Sequence, residues 1–168
     1  MAGKIILPPN YETINGKLVF LAGPIQGAPD WQQEAIDYFK IRVPNLNVAS
    51  PRRHIERKGE FSPEMYNEQV DWETHHLRRA SQDGAIMFWL AREAQHDCGR
   101  AYAQTSRFEL GEWKTRHERD GTKLVVGIAE GFTNRRYLMR RLSQDCPEVP
   151  VCSTLEETCR KIVEQLYI

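Results

Sequence analysis

The sequence lacks any apolar run that approaches the roughly 20 residues of a membrane span, the longest being "KLVFLAG" and "GAIMFWLA". It also lacks the apolar stretch of a signal peptide near its start. Its four cysteines, at positions 98, 146, 152 and 159, include no CxxC pair. We therefore expect a soluble cytoplasmic protein with free thiols and no membrane partner.

Charge of one sign is not in excess, because Lys plus Arg and Asp plus Glu both number 23. Without a net positive charge there is no long-range attraction for nucleic acid, so we expect no nucleic-acid partner. The chain also lacks the G-x-G-x-x-G and P-loop patterns, and neither a GxSxG motif nor a Cys/His pair indicates acyl transfer. A bound dinucleotide or nucleoside triphosphate is therefore not expected.

Metal-ligand spacing is missing as well. His75 and His76 are adjacent, so they face different directions on a helix, and His96, Asp97 and Cys98 match no recognised ligand set. We expect neither a metal ion nor another cofactor.

Apolar segments that alternate with helical stretches dominate what is present. The predicted strands are "KLVFLAG", "NLNVASP", "GAIMFWLA", "TKLVVGIAE" and "VPVCST", and a predicted helix follows each of them. This alternation indicates an α/β fold with a doubly wound parallel sheet of five strands and helices on both faces. The 168 residues fit one domain, in which residues 1–16, rich in Pro, Asn and Gly, are predicted to form an N-terminal arm or a short hairpin.

Two of the helices carry start signals. Asp30 is a predicted N-cap before "WQQEAIDYFKIR", and Ser62 precedes Pro63, a residue type favoured at the first helical position. Apolar residues at roughly helical spacing predict the buried stripe of the second helix, namely Met65, Val70, Leu77 and Ala80.

Loops after the predicted strands are the expected place for a ligand, because open parallel sheets bind ligands beyond the carboxyl ends of their strands. "GPIQGAP", "SPRRHIER" and "AREAQHDCGRAYAQT" lie there. The glycines of the first loop would let backbone approach a ligand, although a plain turn fits the same residues. Arg52, Arg53 and Arg57 in the second loop fit either a phosphate site or a solvated surface.

Two acids stand out near these loops. Glu109, in "QTSRFELGEW", lies between Phe108 and Leu110 near the predicted start of a helix. From its position it fits a first-turn helix acid, which the helix dipole favours, whereas the apolar collar of Phe108, Leu110 and Trp113 fits a nucleophile or acid/base. Upstream, Asp71 and Glu73 lie two residues apart on a helix, so only one can point into a cleft.

Of these two acids, Glu73 lies one turn from Leu77 and hence nearer the buried stripe, which makes it the preferred candidate. A solvated helix acid remains the alternative interpretation.

With a strand running into "LAGP", an acid-bearing helix before "MFWL", and "FELGEW" opening the helix after it, the chain resembles the nucleoside 2-deoxyribosyltransferase family. The resemblance runs from about Leu18 to the end of "TKLVVGIAE". It implies a flavodoxin-like, Rossmann-like sheet and cleavage of the N-glycosidic bond of a deoxynucleoside, with the sugar passed to another base or to water. The implied partner is thus a small-molecule nucleoside or nucleotide.

The resemblance also assigns roles to the two acids. The nucleophilic glutamate of the family's "ELG" motif falls on Glu109, where Phe108 and Leu110 would hold it and Gly111 would let the helix pack closely. The family has a second acid, eight residues before the residue that opens its central strand, which assists protonation of the base. Counting from Asp83 gives His75 and counting from Ser81 gives Glu73; we take Glu73, with "SQDG" as a turn two residues longer than usual.

Substrate contacts are expected in the first loop and around the two acids. They are Gly23, Pro24, Ile25, Gln26, Trp31, Arg52, Asp71 and Ser106. Six residues before the nucleophile, relatives often carry Asp or Ser where this chain has Ala103, which Thr105 or Ser106 could replace. Relatives are oligomers, so the resemblance implies a homo-oligomer in which Tyr167 acts on a neighbouring subunit.

Two alternatives remain open. The protein could be a nucleoside 5′-monophosphate N-glycosidase in which Arg52 or Arg53 holds the phosphate. The absence of a polar group at Ala103 also fits a non-catalytic sensor that binds a nucleotide in the same cleft.

Overall fold

A computed structural model describes residues 2–53 and 61–167. Within these residues the secondary-structure elements, in chain order, are β1 (Ile5–Ile6), β2 (Leu18–Ala22), α1 (Trp31–Arg42), β3 (Asn47–Ala49), α2 (Pro63–Gln82), β4 (Gly84–Leu90), α3 (Gln104–Asp120), β5 (Leu124–Ile128), α4 (Arg135–Asp145), β6 (Val151–Cys152) and α5 (Leu155–Tyr167). The α/β fold is confirmed, and Asp30 and Ser62 cap α1 and α2 as predicted. Arg57 lies outside the described residues.

The strands form one parallel sheet in the order β1-β3-β2-β4-β5-β6. From β2 the chain winds first to β3 on one side and then crosses to β4 on the other side. The order therefore reverses between β2 and β4, and sheets of this kind bind ligands in the crevice outside the carboxyl ends of the strands at such a point. The loops that follow Ala22 and Leu90 meet at this crevice.

The prediction of five strands is wrong by one. Ile5 and Ile6, assigned to the N-terminal arm, pair in parallel with Val48 and Ala49 and form the edge strand β1. Ile6 is fully buried in the core beneath α2. Two apolar residues in a segment rich in Pro and Asn are too few to show a strand period, so the sequence pattern hid them.

The core has a layer on each face of the sheet. On one face, α2, α3 and α4 contribute Trp72, Leu110, Trp113 and Leu142. On the other, α1 and α5 contribute Trp31, Phe39 and Ile162. Every residue of β2 is buried, as expected for a strand covered on both faces.

Helix α2 differs from its prediction in two respects. Val70 is 42% exposed and lies outside the buried stripe, which consists of Trp72, His76, Leu77 and Ala80. The helix also continues through Gln82 and is capped by Asp83, so "SQDG" is not a long turn. Among the described residues, no helix is both long enough and apolar enough to cross a membrane.

Ile6→Ala tests whether β1 belongs to the folded core. We expect the free energy of unfolding to fall by about 2–5 kcal/mol, because a fully buried side chain is truncated and leaves a cavity. Urea denaturation measures it. Ile41→Ala, at a position that is 78% exposed, is the matched control and should change stability by less than about 0.5 kcal/mol. Equal effects of the two substitutions would mean that residues 1–16 are an arm after all.

Candidate active site

The loop after β2 is anchored tightly to the sheet. Gly23 adopts φ +154°, and a Cβ atom there would lie 2.2 Å from the backbone oxygen of Trp89. Only glycine allows this approach between the loop and β4. Trp31 Nε1, at the start of α1, donates a hydrogen bond to the Pro24 oxygen at 2.9 Å, which fixes the loop to this helix.

Trp31 is 1% exposed, so its ring supports the loop instead of facing the crevice as a substrate contact. Gln26 is exposed, and Ile25 is half-buried. Of the contacts predicted in this loop, Gly23, Ile25 and Gln26 therefore remain accessible, whereas Pro24 is buried.

Arg52 also fastens this loop. Its Nη2 donates to the backbone oxygens of Ile25 and Pro29, at 3.3 and 3.1 Å, and its Nε donates to Gln32 Oε1 at 2.9 Å. An ion pair with Asp30 at 3.3 Å completes the set. These contacts engage Nε and Nη2 of Arg52, so the structure gives this side chain a positioning role for the loop.

Glu109 lies on the margin of the buried stripe of α3. Ser106, Leu110 and Trp113 form this stripe, and Glu109 follows Ser106 by three residues and precedes Trp113 by four. Its side chain is therefore half-buried, although α3 begins five residues earlier, at Gln104, so Glu109 is not in the first turn. Interaction with the helix dipole, which is confined to that turn, does not explain its position.

The apolar collar predicted around Glu109 is only partly present. Leu110 and Trp113 are buried, but Phe108 is 78% exposed because it projects from the opposite side of the helix. The expected role of Gly111 is also wrong, since a Cβ atom there would have no neighbour within 4 Å. Of the predicted collar, Leu110 and Trp113 therefore lie on the buried side of the helix that carries the acid.

Electrostatics mark Glu109 and Glu73 as a pair. The pKa of Glu109 is raised to about 8, first by burial, then by the negative charge of Glu73, and last by that of Glu112. Burial also raises the pKa of Glu73, while a hydrogen bond from Gln69 and the charge of Arg53 lower it. The two acids are therefore close enough to repel each other, and near neutral pH Glu109 holds its proton.

Hydrogen bonds that run from Arg53 through Gln69 orient Glu73. Gln69 Nε2 donates to Glu73 Oε1 at 2.7 Å and to the Pro51 oxygen at 3.0 Å, while Gln69 Oε1 accepts from Arg53 Nε at 2.9 Å. Both ends of the Gln69 amide are thus engaged, which fixes its orientation. Arg53 Nη2 also forms an ion pair with Glu68 at 2.8 Å, which holds the guanidinium beside Gln69.

These two acids and the loop after β2, "GPIQGAP" at positions 23–29 (the glycine loop), all lie within a segment that matches a known family. Residues 16–132, well over half of the chain, match the profile described as nucleoside 2-deoxyribosyltransferase like. The chain belongs to this family. A search of curated proteins found no significant match.

Sequence analysis missed Gln69 as a residue of this nucleoside 2-deoxyribosyltransferase-like site. A signal was present, because Gln69 and Glu73 are spaced i, i+4 and such residues are neighbours on a helix. By the same geometry Asp71 points elsewhere: it is exposed, and the structure does not bring it to the pair. Asp71 thus remains a predicted substrate contact without support from its position.

The turn before α3 has an unusual backbone conformation at Ala103. Ala103 is the N-cap of α3 in a left-handed conformation, φ 56°, and makes no side-chain capping bond. Ser106, which precedes Glu109 by three residues on α3, is only 4% exposed. Little of its surface is therefore available to a ligand.

Two further expectations concern Tyr167 and metal binding. Lys17 lies over the ring of Tyr167, 4.7 Å from its centroid, within the same chain, and an action of Tyr167 on a neighbouring subunit stays a prediction. Among residues 2–53 and 61–167, no group of three or more His, Cys, Asp or Glu side chains is arranged to hold a metal ion.

Glu109→Gln tests the raised pKa through stability. In the fold Glu109 keeps its proton up to about pH 8, whereas a glutamate in the unfolded chain ionises near 4.5. Between these values the unfolded state binds fewer protons at this group, so the contribution of Glu109 to the wild-type free energy of unfolding falls as pH rises. The glutamine variant escapes this loss and should gain, relative to wild type, on the order of 3 kcal/mol between pH 4.5 and pH 8.5.

Urea denaturation across this pH range measures the difference. Glu118→Gln, an exposed glutamate on α3 that pairs with Lys114, is the control, and its difference from wild type should stay within about 0.5 kcal/mol. A Glu109→Gln difference that does not change with pH would contradict the raised pKa.

Proposed function

We propose that the protein cleaves the N-glycosidic bond of a deoxynucleoside and transfers the sugar to another base or to water. The observation that carries this proposal is the half-buried carboxylate pair of Glu109 and Glu73 at the carboxyl edge of the sheet, with the pKa of Glu109 raised to about 8. Glycosyl transfer with retention needs two such carboxyl groups, one as nucleophile and one as acid/base.

Glu109 is the proposed nucleophile. Its carboxylate attacks the anomeric carbon as the bond to the base breaks, through an oxocarbenium-like transition state, and a glycosyl ester of Glu109 forms. Because α3 packs Leu110 and Trp113 into the core, the carboxylate is held by a rigid element instead of a loop.

Glu73 is the proposed acid/base. In the pair, the hydrogen bond from Gln69 and the positive charge of Arg53 favour the charged form of Glu73, so in the free protein the proton resides mainly on Glu109. Transfer of this proton to the leaving base by way of Glu73 leaves Glu109 ionised and able to attack. An acceptor base returns a proton to the pair when it takes the sugar.

The glycine loop is the proposed sugar and base contact, through the exposed parts of Gly23, Ile25 and Gln26. Its fastening by Trp31 and Arg52 keeps it in place before the substrate binds, which lowers the entropic cost of binding. We expect this activity in the cytoplasm and, by analogy with relatives, in a homo-oligomer.

Removal of Glu109 tests the proposal. Purified protein is incubated with each deoxynucleoside, with and without a second free base, and the products are separated by chromatography. Glu109→Ala should lose exchange and base release by roughly 10³-fold or more, because no ester can form. Mass spectrometry of quenched wild type should show a sugar adduct on the peptide that contains Glu109.

Glu118→Gln is again the control and should retain turnover. Turnover by the folded Glu109→Ala protein would exclude Glu109 as nucleophile. No reaction of wild type with any deoxynucleoside or with its 5′-monophosphate would favour the non-catalytic sensor, and a strong preference for the monophosphate would favour the glycosidase that acts on nucleotides.

Gln69→Leu tests the role of Glu73. The wild-type profile of kcat/KM against pH should be a bell, because the pair needs one proton, and its alkaline limb should lie near pH 8, where Glu109 loses that proton. The variant lacks the hydrogen bond that favours charged Glu73, so the acid limb should move upward by about one pH unit.

Gln33→Leu is the matched control, since Gln33 makes the same i, i+4 bond to Asp37 on α1, at 2.9 Å, away from the pair. Its profile should coincide with that of wild type. An unchanged acid limb in a folded Gln69→Leu protein would mean that Glu73 does not supply this limb.

A further inference from the structure

The loop between β4 and α3 carries three side chains that the proposed chemistry does not use and that contact one another in the order Glu93, His96, Cys98. His96 Nδ1 lies 3.0 Å from Glu93 Oε2, and His96 Nε2 lies 3.6 Å from the sulfur of Cys98. Both distances are those of hydrogen bonds, the second one to sulfur. The sequence spacing of His96 and Cys98 does not indicate a Cys/His pair; the fold of the loop creates one, which corrects the sequence-based expectation.

The charge on Glu93 decides which ring nitrogen of His96 carries a hydrogen. The pKa of Glu93 is lowered, first by its hydrogen bond with His96, so the carboxylate is ionised and only accepts hydrogen bonds. His96 Nδ1 must therefore carry a hydrogen and donate it to Glu93. In a neutral imidazole the lone pair is then on Nε2, which faces the thiol of Cys98. His96 is thus oriented as a base for that thiol.

Backbone and side-chain bonds hold the three residues in this arrangement. Arg100 N donates to the Asp97 oxygen at 3.1 Å and Gly99 N donates to Asp97 Oδ1 at 2.8 Å, which closes a tight turn around Cys98. Arg100 Nη2 donates to the Gln95 oxygen at 2.8 Å and pairs with the second oxygen of Glu93 at 3.4 Å. The carboxylate is therefore fixed from the side opposite His96.

Cys98 is also the accessible thiol. Cys146, Cys152 and Cys159 are buried, whereas Cys98 is exposed. Burial raises the pKa of the three buried thiols, that of Cys159 to about 12, so they hold few thiolates and admit no reagent. Any reagent for thiols meets Cys98 first.

We propose that Cys98 is a nucleophilic thiol, with His96 as its base, that forms a mixed disulfide with small-molecule disulfides. His96 Nε2 takes the proton of Cys98, and the thiolate attacks one sulfur of the disulfide. The new bond joins Sγ to that sulfur as the original S–S bond breaks. The other half leaves as a thiolate and takes the proton, so Cys98 is oxidised and one small thiol is released. This inference does not depend on the proposed glycosyl transfer.

The position of the thiol connects it to the candidate site. The amides of Ala94 and Gln95 donate to the Gly27 oxygen at 2.7 and 3.0 Å, which joins the loop that bears Cys98 to the glycine loop after β2. A group attached to Cys98 would thus be carried by a segment that contacts the crevice.

The test measures where and how fast native protein reacts. With oxidised glutathione, peptide mass spectrometry should find the adduct on Cys98, and Cys98→Ser should give none. With an aromatic disulfide whose released thiol is coloured, His96→Ala should react roughly tenfold more slowly than wild type, because the base is gone. Glu93→Gln, which keeps an acceptor but loses the charge that orients His96, should also react several-fold more slowly.

His75→Ala, an exposed histidine on α2, is the matched control and should react at the wild-type rate. Thermal melting checks that each variant is folded. The proposal is overturned if folded His96→Ala and Glu93→Gln react as fast as wild type, or if a buried cysteine carries the first adduct.

Discussion

The pairing of β2 with β4 is the constraint on which the rest of the molecule depends. A glycine stands at each end of this contact: a Cβ atom on Gly84 would lie 1.8 Å from the backbone oxygen of Leu18, and one on Gly23 would lie 2.2 Å from that of Trp89. Both clashes are with backbone, which cannot move aside. The register Leu18 to Gly84 is thus fixed, and with it the position of the two loops that meet at the crevice.

Near the carboxyl edge of the sheet, the half-buried pair of Glu109 and Glu73 opposes folding. Two acids share a half-buried space, and each one's burial disfavours its charge. The amide of Gln69 and the guanidinium of Arg53 compensate at Glu73, and within residues 2–53 and 61–167 no comparable group lowers the pKa of Glu109. An unequal environment of this kind separates the acid form from the base form within a pair, which is what general acid–base chemistry requires.

Much of the fold was predictable because its signals are strong and local. The continuous apolar run of β2 and the Asp30 cap of α1 set the bounds of these elements correctly. Ile5 and Ile6 gave too short a pattern, and only pairing with β3 makes them a strand. At the site, neighbours in sequence were mistaken for neighbours in space: Phe108 adjoins Glu109 in the chain but not on the helix surface.

The two edges of the sheet have a consequence for assembly. Each edge strand described here, β1 and β6, has two residues, and prolines flank both, at positions 8 and 9 and at position 150. Short strands bounded by residues that cannot donate a backbone hydrogen bond offer little template for another strand. We therefore expect copies of this chain that associate to do so through helices and loops, and we expect the short edges to disfavour growth of the sheet from edge to edge into aggregates.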